Sequence, residues 1–262
     1  MRNIRTIILL SAACLLTGMS AFAREQFGAF KESVDRDSLR PFTRDLGGIL
    51  GAASFHSGRP LGFSGFDAGV HGGVQFRPET GDKVLRAAGR GVFGLPWAQG
   101  EIGMPFRIDG FIRGVSFQGL TIAGGGLRWG VTKINDKLYA PNLLVSGLAH
   151  SVVHKDFSAS HFGANLVASI NVPLTAAPAE SAQTSKQRPT AAPYLGMGVD
   201  RTSVVVRAAD ADPSLVGENV VTLASRFTAG LTIRPWPFFY LQLAYTNAHG
   251  QSGMDSGLGL RF

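Results

Sequence analysis

The sequence predicts an all-β fold: a single antiparallel up-and-down barrel of about ten strands (roughly 8–12), with a short N-terminal helix. Three observations carry this. Glycine supplies 34 of 262 residues, while charged residues make up 16% and hydrophobic ones 45%. That is too apolar for a disordered chain and too glycine-rich for a helix bundle, where each interior Gly costs about 1 kcal/mol. Second, apolar and polar residues alternate with period two along most of the chain, giving each segment one apolar and one polar face. Third, arginines recur on the polar faces, whereas Lys31, Lys83, Lys133, Lys137, Lys155 and Lys186 fall in tails and turns.

Residues 1–23 read as a secretory leader. Arg2 and Arg5 precede the apolar run from Ile7 to Leu16, and Ala21-Phe22-Ala23 forms a small-x-small cleavage site. The run is shorter than the ~20 residues of a spanning helix. Cys14 has Ser11 three residues before it, where a lipidation signal needs an aliphatic residue. Removing the leader removes this single cysteine, so disulfides, thiolate metal sites and a cysteine nucleophile are excluded. It also lowers the formal net charge from +7 to about +5, spread without a basic run, which speaks against a nucleic-acid partner.

Residues 24–64 read as an N-terminal periplasmic segment ahead of the strands, with a helix expected over about 38–50. Ser38 can cap it, and Leu39, Phe42, Leu46, Ile49 and Leu50 share one helical face. Such a helix can cap or enter a barrel mouth, either as a stabilising lid or as a plug that gates a solute path. The barrel proper is expected over 65–262. Its alternating segments lie near 66–77, 84–95, 98–109, 110–117, 119–132, 142–153, 157–172, 194–207, 220–234, 238–247 and 253–262. Segment 110–117 is the least regular, because Phe111 and Val115 share a face with Arg113. Several exceed the usual 5–6 residues of globular strands, and about 9–11 suffice for a tilted strand to cross a bilayer. Residues 174–193, rich in Ala, Pro, Ser, Thr and Gln, read as a mobile loop.

Alternation alone admits both a soluble calyx with an apolar interior and a membrane barrel with an apolar exterior. The C-terminal residues separate the two. Asp255 and Gly257 lie on one face, Leu260 and the terminal Phe262 on the other. This pattern is similar to the insertion signal of bacterial outer-membrane β-barrels. Together with the leader and the Gly62-Phe63-Ser64-Gly65-Phe66-Asp67 entry to the first strand, the chain resembles the poorly characterised families of such barrels. The resemblance implies a transmembrane barrel in the bacterial outer membrane. Its implied partners are outer-membrane lipid, the barrel-assembly machinery during insertion and a possible small solute.

On that reading Arg77, Arg86, Arg90, Arg107, Arg128, Arg226, Arg234 and Arg261 face the lumen with Asp67, Asp109 and Asp255. Arginine's planar fork suits such partly buried positions. These charges form either a salt-bridge network holding the barrel in shape or a path favouring anions. Chemistry is otherwise thin. His56, His71, His150, His154, His161 and His249 show no HExxH or other paired metal spacing, and no nucleophile elbow stands beside Ser151 or Ser160. No metal, cofactor or enzymatic activity is therefore expected. Three functions remain open: a narrow channel or binding barrel for small solutes, a closed barrel with an anchoring or surface-contact role, and a soluble periplasmic carrier of apolar ligands.

Overall fold

The computed structural model describes residues 25–89, 91–174 and 189–262. The leader 1–23, Arg90 and most of the 174–193 loop lie outside them.

Ten long strands close into one barrel: β1 (Phe66–Gln75), β2 (Phe93–Met104), β3 (Ile108–Phe117), β4 (Leu120–Gly130), β5 (Pro141–Val153), β6 (Phe157–Ile170), β8 (Thr190–Val206), β9 (Asn219–Trp236), β10 (Phe239–Ala248) and β11 (Gln251–Arg261). A two-residue strand, β7 (Val172–Pro173), pairs beside the start of β8. Every long strand pairs antiparallel with its neighbours in sequence, and β1 pairs with β11 from Asp67↔Arg261 to Gln75↔Gly253, leaving no open edge. One end of the barrel holds the start of β1 and the end of β11; we call it the closing end. The far end carries the connections after β1, β3, β5, β8 and β10.

The side-chain period fixes which way each residue faces. Asp67, His71, Gln75, Gln99, Glu101, Asp109, Arg113, Arg128, Asp200, Arg226, Gln242 and Asp255 point inward and are buried. Val70, Ile112, Leu127, Phe162, Met197, Leu223 and Leu243 point outward and are exposed, Ile112 to 74%. Apolar side chains outside and charged ones inside are the reverse of a soluble calyx and the arrangement of a membrane-spanning barrel.

One expected strand is absent. Residues 84–95 divide into a helix, α3 (Lys83–Ala87), and the start of β2. Asp82 caps the helix by accepting the Leu85 N–H, and Val84 and Leu85 are both buried. Two adjacent residues cannot share one face of a strand, so the apparent alternation there is accidental.

Before the barrel come α1 (Phe30–Ser33) and α2 (Arg36–Leu50). The cap of α2 is Asp35 rather than Ser38: its carboxylate accepts the Ser38 N–H at 2.9 Å while the Ser38 hydroxyl accepts the Asp35 N–H at 2.9 Å, a reciprocal capping box. The hydrogen bond from Lys83 and those from Ser38 hold the Asp35 carboxyl below its ordinary range. Leu39, Phe42, Leu46, Ile49 and Leu50 are all buried. They join Phe27, Phe30, Leu120, Val152, Phe157 and Val206 in one apolar cluster. Phe42 sits 5.0 Å from Phe30 and 5.2 Å from Phe157, ring centre to ring centre.

Those barrel residues lie at the starts or ends of strands at the far end. The helix therefore occupies the mouth opposite the one where β1 begins. The chain then descends through the lumen from residue 51 to residue 65 and emerges at the closing end, where Ser64 N–H donates to Gly103 O and Gly103 N–H to Gly65 O.

Candidate functional site

Residues 51–65 have no regular partner strand, so their backbone groups need hydrogen bonds from elsewhere. The barrel wall supplies them. Arg226 Nη2 donates to Gly48 O at 2.8 Å and Gly47 O at 3.3 Å, two carbonyls at the C-terminal end of α2. A cation there also complements the helix dipole. Arg113 donates to Leu50 O and, at 2.8 Å, to Ala52 O. Arg128 Nη2 donates to Ser54 O at 2.6 Å, Gln242 Nε2 to Phe55 O at 3.1 Å, and Arg261 Nη2 to Pro60 O at 3.1 Å. The acidic wall residues take the opposite role: Asp255 accepts the Ala53 N–H at 2.9 Å, and Asp109 the Leu61 N–H at 2.8 Å.

Three of these arginines are themselves held by the wall. Asp200 pairs with Arg226 at 2.7 Å, and Glu101 with Arg128. Arg113 Nε donates to His150 Nε2 at 2.7 Å, and its guanidinium lies 4.3 Å above the Trp97 ring. The Arg128 guanidinium lies 4.5 Å above Phe111. Such stacking is worth roughly 1–2 kcal/mol when desolvated.

The fit is close. Phe55 seats its ring against Gly196, where any β-carbon would come within 2.4 Å of the ring. At the closing end the space among His56, Ser57, Ala192, Thr232, Arg234, Tyr240 and Arg261 has no room for a water molecule. Residues 51–61 thus lie inside the lumen, tied to the wall from Arg226 at one end to Arg261 and Asp109 at the other.

Of the charges expected in the lumen, Arg128, Arg226, Arg234, Arg261, Asp67, Asp109 and Asp255 lie on the inner wall. Arg234 sits at the closing mouth and donates to Asn171 Oδ1 at 2.9 Å, and Asp67 accepts the Tyr240 hydroxyl at 3.0 Å. Three do not. Arg77 follows the end of β1 and is exposed. Arg86 belongs to α3, also exposed, and bonds the carbonyls of Pro78 and Glu79. Arg107 lies in the β2–β3 turn at φ 65°, its guanidinium 5.9 Å from the outward-facing Trp129 ring, so it marks the outer rim. All three leave the wall because the strands end before them. Of the C-terminal residues, Asp255 and Gly257 face inward and Leu260 and Phe262 outward.

Arg113 escapes the expectation because Phe111 and Val115 share its face. Those apolar residues point inward to meet Arg128 and the far-end cluster, which a water-filled lumen would not permit. Glu101 and Asp200 likewise gain a role only once their arginine partners are known.

No family model matches the chain, and no curated protein does. Among solved structures it is similar to the N-terminal β-barrel domain of OprF from Pseudomonas aeruginosa, at 10% identity over 77% of this chain and 99% of that one, with a TM-score of 0.38. Ail, the attachment invasion locus protein of Yersinia pestis, matches at 12% identity over 76% and 97%, with a TM-score of 0.33. LpxR from Salmonella typhimurium matches at 10% identity over 74% and 99%, with a TM-score of 0.34. At identities and TM-scores this low, none of them lends this chain an activity or a location.

Proposed function

We propose that the protein is an integral outer-membrane barrel held shut by its own N-terminal segment, with an anchoring or surface-contact role rather than an open pore. The observation that carries this is the succession of wall-to-backbone hydrogen bonds from Arg226, Arg113, Arg128 and Arg261 along residues 47–60. Three of them, Arg128, Arg226 and Arg261, read from sequence as part of a possible anion path, are occupied by the protein's own carbonyls. On this reading the partners are membrane lipid and, during insertion, the barrel-assembly machinery.

A second reading, a channel whose plug withdraws, draws on the chemistry of the wall. A permanently sealed interior is as stable, or more so, when built from well-packed apolar residues as from buried ion pairs. Here Arg113, Arg128, Arg226, Glu101, Asp200 and Asp255 remain charged-residue positions facing inward, a surface that suits water once the segment leaves.

Conductance decides between them. The full chain in planar bilayers is expected to be silent in several electrolytes at low applied voltage; steady ion flow in the unmodified protein would defeat the sealed reading. Membrane placement has its own check. Ile112, paired between Gly100 and Gly125 midway along its strand, faces outward. Ile112→Arg is expected to cost about 2–4 kcal/mol of folding free energy in phospholipid vesicles. A cost below about 0.5 kcal/mol, ordinary for an exposed position on a soluble protein, would contradict a lipid-facing wall.

A further inference from the structure

At the far end, outside the ladder of wall arginines, three separate elements bring their ligand-bearing side chains together. Asp45 comes from α2, Glu79 from the connection between β1 and β2, and His249 from the turn between β10 and β11. One carboxylate oxygen of each acid and one ring nitrogen of the histidine lie within 4.8 Å of one another. His249 Nε2 points at Asp45 Oδ1 from 3.5 Å.

The His249 side chain is 4% exposed, yet among the described residues neither ring nitrogen has a hydrogen-bond partner. A buried polar group left in this state costs roughly 1–3 kcal/mol. Glu79 shows the same deficit: Oε1 pairs with Arg44, while Oε2 is buried without a partner. Asp45 accepts from Gln75 Nε2 at 2.6 Å and from the Glu79 N–H at 2.7 Å, and the Asp82 carboxyl lies against it. Three carboxyl groups thus gather beside a histidine that gives them no hydrogen bond, and Arg44 pairs with one of them, Glu79. In the same connection Lys83 pairs with Asp35, and Arg86 spends its guanidinium on backbone carbonyls.

The space is also kept open. A β-carbon on Gly48 would lie 2.7 Å from Gln75 Oε1 and 3.2 Å from His249 Nε2. Any larger residue at that point of α2 would fill the hollow into which the imidazole points.

We propose that Asp45, Glu79 and His249 form a site for a divalent transition-metal ion of the zinc class, which fastens the N-terminal helix to the barrel wall. One imidazole nitrogen and two carboxylate oxygens suit Zn²⁺, with the fourth position left to water. Zinc–ligand distances of about 2.0–2.2 Å place tetrahedral neighbours about 3.4 Å apart. The His249–Asp45 separation already matches this, and a Glu79 carboxylate oxygen lies within 4.8 Å of both. The fastening role rests on the sealed-barrel reading above; the ion site itself does not.

The test uses the full chain, folded in detergent and stripped with a chelator, titrated calorimetrically with zinc chloride. The expected result is one ion per chain at micromolar affinity, with Co²⁺ in its place giving a visible absorption band of tetrahedral intensity. His249→Gln removes a ligand, and Gly48→Ala keeps all three ligands but fills the hollow. Each is expected to weaken binding at least tenfold, in protein whose β-sheet circular dichroism is unchanged. No saturable binding by the unmodified chain, or equal affinity in both variants, overturns the site. A barrel that conducts with one Zn²⁺ bound through His249 supports the site while refuting the seal.

Discussion

Arg113→Ala is expected to be among the most damaging substitutions in the lumen, costing about 3–5 kcal/mol of stability through the buried hydrogen-bond partners it strands. The side chain is 3% exposed. Its loss strands the carbonyls of Leu50 and Ala52, leaves His150 without its donor and strips the Trp97 ring of its stacked cation. Each stranded buried acceptor costs roughly 1–3 kcal/mol. Denaturant unfolding in vesicles, followed by tryptophan emission, reads the total. Limited proteolysis reads the local effect, with new cleavage expected between residues 50 and 56 under native conditions. Lysine should restore little, because one ammonium cannot reproduce a fork that reaches two carbonyls and an imidazole at once. Full stability in Arg113→Ala, together with an uncut segment, would show that the wall does not hold the plug.

Phe42→Ala attacks the same segment by a different route. Phe42 is fully buried, with Phe27, Phe30 and Phe157 around it at 5.0–6.1 Å between ring centres. Truncation removes its transfer free energy and leaves a cavity, at an expected cost of about 3–5 kcal/mol. Only one of its ring partners, Phe157, belongs to a strand of the wall. The cost should therefore fall on helix docking more than on the strands. Amide exchange should quicken across 36–50 while the β1–β11 pairing stays protected. Uniform loss of protection across the strands would instead make helix and barrel one cooperative unit.

The contrast between strand and plug explains what was legible in the sequence. Each strand separates two environments, so its period-two pattern is written in side-chain type; Phe162, Ala164 and Leu166 against His161, Gly163 and Asn165 is an example. The amphipathic face of α2 is legible for the same reason. The path of residues 51–65 is not, because it is held through its backbone carbonyls and N–H groups, which every residue type offers alike. The inward charges of β4, β9 and β11 fall on clean alternations. Arg113 hides among apolar neighbours that make sense only with a filled lumen. Helix α3 mimics alternation over a few residues. The Asp45, Glu79 and His249 cluster joins three distant stretches of chain, and no local spacing announces it.

The seam between β1 and β11 has a consequence for how the molecule comes into being. A closed ring already surrounding residues 51–65 leaves no sideways exit, and the far mouth is stoppered by Phe27, Phe30, Phe42 and Phe157. Feeding those rings lengthwise through a finished hoop would take them past Trp97, Phe111 and three guanidinium groups. A thread laid first, with the junction of first and last strands zipped around it, avoids that passage, and pairing across that junction is then expected to be the last to gain exchange protection during folding.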